Sequence, residues 1–147
     1  MAETREIPKL NVVYRPGVTR VVDASADTPY TTAYFLTKAN NAYYCRFYVC
    51  CEKGGATAPS AVGAYVVSAL LRTTAANVVT IADQSTASLE TDHGAWAVVI
   101  AVDGTTTGRI NVNLTTDDSD TTWVRTWAEI VVLGEGGIHE YGDAANA

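Results

Sequence analysis

The 147-residue chain has the length of one domain and is long enough to bury a core without disulfides or metals. A net charge of −6 excludes a partner that needs a basic footprint, so no nucleic acid is expected. Only 18% of the residues are charged against 48% hydrophobic, so Thr, Ser, Asn and Gly must cover the surface, a composition that suits strands.

The chain opens on a basic arm. From Met1 to Val22, Arg5, Lys9, Arg15 and Arg20 face only Glu3 and Glu6, whereas from Asp117 onward seven acidic residues face only Arg125. Such ends attract each other within a chain or between neighbours; two solvated ends explain the same residues, since surface pairs are weak. "MAETREIPKL" holds no apolar segment of a secretory leader, and no apolar run approaches the ~20 residues of a membrane helix. No membrane partner is expected. In "IPKLNVVYRPGVTRVV" the Pro16-Gly17 dipeptide predicts a turn between two short strands, and "DASADTPY" reads as a loop.

Longer strands follow. "TAYFLT" and "AYYCRFYVCC" flank a "KANN" turn. In the second, alternation sets Cys45, Phe47, Val49 and Cys51 on one face, expected to be core, against Tyr44, Arg46, Tyr48 and Cys50. That second face is half apolar and carries an arginine, which suggests a sheet partly covered by a neighbour. Three cysteines, two of them adjacent, form no disulfide framework, and Cys50 and Cys51 point apart on a strand; buried reduced thiols are expected. "EKGGATAPS" reads as a loop, "VGAYVVSALLRT" as a strand by its β-branched content, and "NVVTIA" as a short strand, with "SLETDHG" leading into the next. "AWAVVIAVDG" ends in Asp103-Gly104, a hairpin signal. "RINVNLTT" alternates cleanly, with Ile110, Val112 and Leu114 inward and Arg109, Asn111, Asn113 and Thr115 outward. "DDSD" is a polar loop before "TTWVRTWAEIVV", whose faces are Trp123, Arg125, Trp127 and Glu129 against Val124, Thr126, Ala128 and Ile130. "LGEGG" breaks the strand and "IHEYGDAANA" reads as a polar tail. Helix signals are nearly absent. The pattern predicts an all-β protein, an antiparallel β-sandwich of jelly-roll-like type, divided into an arm (1–30), a sandwich (31–133) and a tail (134–147).

No segment carries a recognisable reaction. Asp117, Asp118 and Asp120 offer oxygens of the kind calcium takes, but the spacing lacks the glycine and distal glutamate of an EF-hand, and a turn explains aspartates fully. His93 and His139 have no CxxC, HExxH or GxSxG to work with, and Asp92 and His93 point apart on an extended chain. Asn113-Leu114-Thr115 matches a glycosylation sequon, yet sits on a predicted strand. "GEGG" opens no helix and is no phosphate loop. No enzyme activity, metal or cofactor is expected. Trp123 and Trp127 share one face with Arg125 between them. Packing in the core or at a subunit interface is the preferred reading, and an exposed platform stacking on sugar rings the alternative.

From Thr32 to Val132 the chain resembles a loosely defined group of tailed-phage virion domains. The matching segments are "AYYCRFYVCCEKGG…GAYVVSALLRTT", "TDHGAWAVVIAVDG", "RINVNLTT" and "DTTWVRTWAEIVV". One extra residue between Trp123 and Glu129 departs from the group's pattern and predicts a bulge. The resemblance implies a non-enzymatic virion protein, made in the host cytoplasm. Its first reading is a capsid decoration or cement protein, a homotrimer bound to capsid or other virion proteins. Arg5, Lys9, Arg15, Arg20, Tyr44, Tyr48, Trp123, Arg125 and Trp127 are the candidate interface residues. The alternative is a module of a tail fibre, tail or neck that binds a receptor or cell-surface glycan through Tyr44, Tyr48, Trp123 and Trp127.

Overall fold

The computed structural model describes residues 11–13, 19–21, 29–54, 59–90, 96–115, 122–133 and 138–142. All regular structure among them is strand: β1 (Asn11–Val13), β2 (Thr19–Val21), β3 (Tyr30–Thr37), β4 (Ala42–Gly54), β5 (Pro59–Thr73), β6 (Val79–Glu90), β7 (Ala97–Val102), β8 (Arg109–Thr115), β9 (Thr122–Val132) and β10 (Ile138–Gly142). The protein is an antiparallel β-sandwich. The large sheet has the order β1-β9-β4-β5-β6, with β2 also on β9, and the small sheet β10-β3-β8-β7.

Period-two alternation decides what lies between the sheets. Tyr43, Cys45, Phe47, Val49 and Cys51 of β4 point inward, as do Val67 and Leu71 of β5 and Val124, Ala128 and Ile130 of β9; all are buried. Phe35, Ile110, Val112, Leu114, Val98 and Ile100 face them from the small sheet. Phe35 bridges the layers, its ring 6.1 Å from Phe47 and 5.9 Å from Tyr43. Each large side chain so buried contributes about 1.5–3 kcal/mol. Trp96 lies flat on Gly63, where a Cβ would stand 2.8 Å from the indole, so a glycine is required there. Cys45 and Cys51 are core, and burial pushes both thiols up to about 12. Cys50 departs from the expectation of burial: it is half-buried on the opposite face.

Several elements differ from the sequence pattern. The two short strands expected on either side of Pro16-Gly17 are β1 and β2, which both run antiparallel to β9, Asn11 opposite Ile130 and Thr19 opposite Val124; the turn expected at Pro16-Gly17 lies outside the described residues. β4 and β5 extend into the predicted "EKGGATAPS" loop. β6 continues through "DQSTASLE", which lacks alternation because residues 82–89 are exposed whichever way they point. "IHEYG" is β10, paired with β3, where a polar tail was expected. The β4–β9 register is unbroken from Tyr43–Val132 to Lys53–Thr122, so no bulge separates Trp123 from Glu129. The hairpin expected at Asp103-Gly104 is present, β7 pairing antiparallel with β8, and its connection is the loop 103–108. It closes through Asp103 N donating to Arg109 O and ends on Gly108, whose φ of +79° favours glycine.

One border of the sandwich is closed by side chains. The Gln84 amide on β6 donates to Ile100 O (3.2 Å) and accepts from Ile100 N (3.3 Å), and the Thr86 hydroxyl donates to Val98 O (3.4 Å). Gln84 thus occupies the free backbone groups of β7 as a neighbouring strand would.

Candidate functional site

The two outer faces are built differently. On the small sheet, β3 and β8 set Thr31 beside Asn113, and the threonine hydroxyl donates to the asparagine amide oxygen at 2.8 Å. At one end of this face Asp103 Oδ1 accepts from Thr105 N, Thr105 Oγ1 and Thr106 N at 2.7–2.8 Å, while Oδ2 accepts from Asn111 Nδ2 at 2.8 Å. These bonds, the one from Asn111 foremost, hold the carboxyl well below the usual carboxylate range. Arg109 Nε donates to Asn111 Oδ1 at 2.8 Å, and the guanidinium lies 4.0 Å from the centre of the Tyr34 ring. Asn111, expected to face solvent, is buried by this network. The carboxylate is spent on its own loop.

The outer face of the large sheet carries the residues singled out from sequence. Register aligns them in rows across β9, β4 and β5: Trp123–Glu52–Val62, Arg125–Cys50–Ala64, Trp127–Tyr48–Val66, Glu129–Arg46–Ser68 and Val131–Tyr44–Leu70. Trp127 and Tyr48 stack, centroids 5.5 Å apart and planes 10° from parallel. The Tyr48 hydroxyl donates to Glu129 Oε1 at 3.4 Å, and Arg46 Nη2 donates to the Tyr44 hydroxyl at 2.9 Å. Hydrogen bonding to the Tyr48 hydroxyl, then to that of Tyr44, raises the guanidinium's pKa above its ordinary value. Arg46 Nε is buried with no acceptor among the described residues. Trp123 is 41% exposed and Arg125 is exposed. Burial raises the Cys50 thiol's pKa, and the charge of Arg125 opposes the shift.

Tyr44, Tyr48, Trp123, Arg125 and Trp127 therefore share one surface, and neither indole enters the core. Arg46 and Glu129 belong with them although neither was singled out as a site residue; strand parity with Tyr48 and Trp127 was the available signal. Arg20 lies on β2 opposite Trp123 by register. Arg5, Lys9, Arg15, His93, Asp117, Asp118 and Asp120 lie outside the described residues, as does the side chain of His139. Among the described residues, no group of three or more His, Cys, Asp or Glu is placed to hold a metal ion, and no helix is long and apolar enough to cross a membrane. Asn113 of the sequon sits on β8, paired on both sides by β3 and β7.

No protein family matches the chain, and no curated protein matches it. Among solved structures the fold is similar to part of the tailspike protein of Acinetobacter baumannii phage AM24, with a TM-score of 0.51 and 11% identity; the match covers 81% of this chain and 26% of that one. The tailspike protein of Acinetobacter phage vB_ApiP_P1 aligns with a TM-score of 0.39 and 10% identity, over 90% of this chain and 25% of that one. The chain thus spans about a quarter of the length of either. The first likeness is one of fold.

Proposed function

We propose that this chain is a non-enzymatic domain of a phage tail appendage that binds a host-surface glycan through the outer face of its large sheet. The observation that carries the binding reading is the gathering of Trp127, Tyr48, Trp123, Arg125, Arg46 and Glu129 on that face, outside the core. Aromatic rings offer apolar surface to the C–H faces of sugars, and flanking guanidinium and carboxylate groups offer donors and acceptors to hydroxyls. The fold likeness to part of a tailspike supports a place on the tail over the capsid decoration expected first from sequence.

Two measurements test this. Immunogold labelling of virions of the encoding phage should mark the tail; label on the head would restore a decoration role. Fluorescent protein should bind host cells saturably, with extracted surface polysaccharide competing. Trp127→Ala should reduce that binding at least tenfold while its melting temperature stays close to that of the parent. Equal binding by the variant, or none by the parent, would overturn the glycan reading and leave the tail placement to the labelling.

A further inference from the structure

The relief and the charge of the large sheet's outer face bear on which sugars it would take. The row Arg125–Cys50–Ala64 continues on β6 to Leu89. It crosses four strands, roughly 14 Å at about 4.8 Å per strand. Its middle is made of small side chains, Cys50 and Ala64, both half-buried. The rows about 7 Å to either side along the strands are bulkier. Trp127, Tyr48 and Val66 form one, and Trp123, Glu52 and Val62 the other. The small row is therefore a shallow trough between two walls, each with an indole at its β9 end. Arg125 stands at that end, two residues from either indole, and the exposed Leu89 at the other.

Arg125 is exposed and, among the described residues, has no hydrogen bond or ion pair. Its charge is felt at the Cys50 thiol, so the floor of the trough lies in a positive field. The carboxylates of the face leave that charge unmet. Glu52 lies diagonally across from Arg125, within reach of long side chains, and does not pair with it; Glu129 accepts from the Tyr48 hydroxyl. The arginines elsewhere are engaged. Arg109 lies 3.8 Å from the Asp103 carboxylate, and Arg46 donates to the Tyr44 hydroxyl.

We propose, resting on the glycan reading, that the sugar seated in this trough is negatively charged and that Arg125 binds its oxyanion. A neutral sugar needs only dipoles, which hydroxyls and amides supply. A guanidinium offers a planar fork of donors to a carboxylate, sulfate or phosphate, and such charge-assisted bonds are about twice as strong as neutral ones. The indoles on either side of Arg125 give apolar surface to the ring and keep water from the pair. Arg125 is then the residue that selects acidic over neutral polysaccharide, and Trp127 and Tyr48 hold the ring whatever its charge.

Competition for host-cell binding by the full chain tests this. The competitors are the extracted surface polysaccharide, the same material with its carboxyls reduced to hydroxymethyl groups, and the same material with its sulfate and phosphate groups removed. One of the two treatments should weaken competition at least tenfold, and which one it is identifies the oxyanion. Arg125→Gln should bind the untreated polysaccharide at least tenfold more weakly than the parent, with an unchanged melting temperature, and should no longer distinguish the treated samples. Arg72→Gln, an exposed arginine on β5 beyond the trough, should bind as the parent does. Equal competition by all three samples overturns the proposal and leaves the glycan reading standing. Parent-like binding by Arg125→Gln, or equal losses in the Arg125 and Arg72 variants, overturns the assignment to Arg125. A parent that binds no polysaccharide overturns both readings.

Discussion

On the outer face of the small sheet, Asp103 fills both its oxygens from its own loop and Asn111, Arg109 rests on Tyr34, and Thr31 bonds Asn113. On the outer face of the large sheet, Trp123 and Arg125 stand exposed, the Trp127–Tyr48 stack is only half covered, and Arg46 keeps a buried Nε without an acceptor among the described residues. Both faces alternate with the same core and both carry arginine and tyrosine. They differ in where the polar groups find partners. A face that satisfies itself contributes to folding and has little left for a ligand, whereas a face with exposed indoles and an unmet donor has contact surface to spare.

Substitutions should separate the two. The largest effect is expected from Asp103→Ala on the small-sheet side, which leaves the exposed Thr105 and Thr106 amides to water but removes the acceptor of the buried Asn111 amide, and should cost about 1–2 kcal/mol in thermal or urea unfolding at pH 7. A loss below about 0.5 kcal/mol would mean that the face is not held by this carboxylate. Acidification gives the next contrast. The folded pKa of Asp103 is depressed, so its contribution is complete above the unfolded value near 4 and fades as pH falls through that value toward the folded one. The gap in melting temperature between the parent and Asp103→Ala should therefore narrow between about pH 5 and pH 2, and a gap constant with pH would contradict the assignment. Trp127→Ala on the large-sheet face should cost only about 1 kcal/mol, the scale of an aromatic pair, while removing glycan binding. A loss of about 3–5 kcal/mol would mark the indole as structural after all. Trp123→Ala, smallest, should stay within about 0.5 kcal/mol of the parent, as measured by the same melts.

Much of this division was readable before any coordinates. In β4, Phe47 and Tyr48 occupy opposite parities, and the arginine on the Tyr48 side marked it as the outer one. β8 alternated without exception, and Ile110, Val112 and Leu114 are buried as expected; Asn111 on the other face is buried too, by its own hydrogen bonds. For β9 the parity was clear but its sense was not: two indoles outweigh Val124, Thr126, Ala128 and Ile130 in apolar area, so burying the tryptophans looked favourable. Arg125 and Glu129, charged and on the tryptophan side, held the answer, and the register with Arg46 and Tyr48 confirms it. β6 was cut short because a strand that overhangs its partner sheet needs no apolar side, and periodicity then has nothing to report. β10 is too short and polar to stand out, and the two strands flanking Pro16-Gly17 pair with the same strand of the sheet instead of with each other. Asp103-Gly104 was legible as a hairpin signal, but the length of the loop was not: Asp103 also bonds Asn111, eight residues on, which local pattern does not reveal.

The stack of Trp127 on Tyr48 also bears on the order in which the sheet comes together. β4, β5 and β6 are successive strands pairing with their chain neighbours, whereas β9 reaches β4 across a separation of about 70–90 residues. Loop closure disfavours that contact until the rest of the sheet is in place. The indole and the phenol meet only when β9 docks, so fluorescence from residue 127 should report a late event in refolding, after the signal of strand formation has risen. The aromatic surface would then be completed in the same step that completes the large sheet.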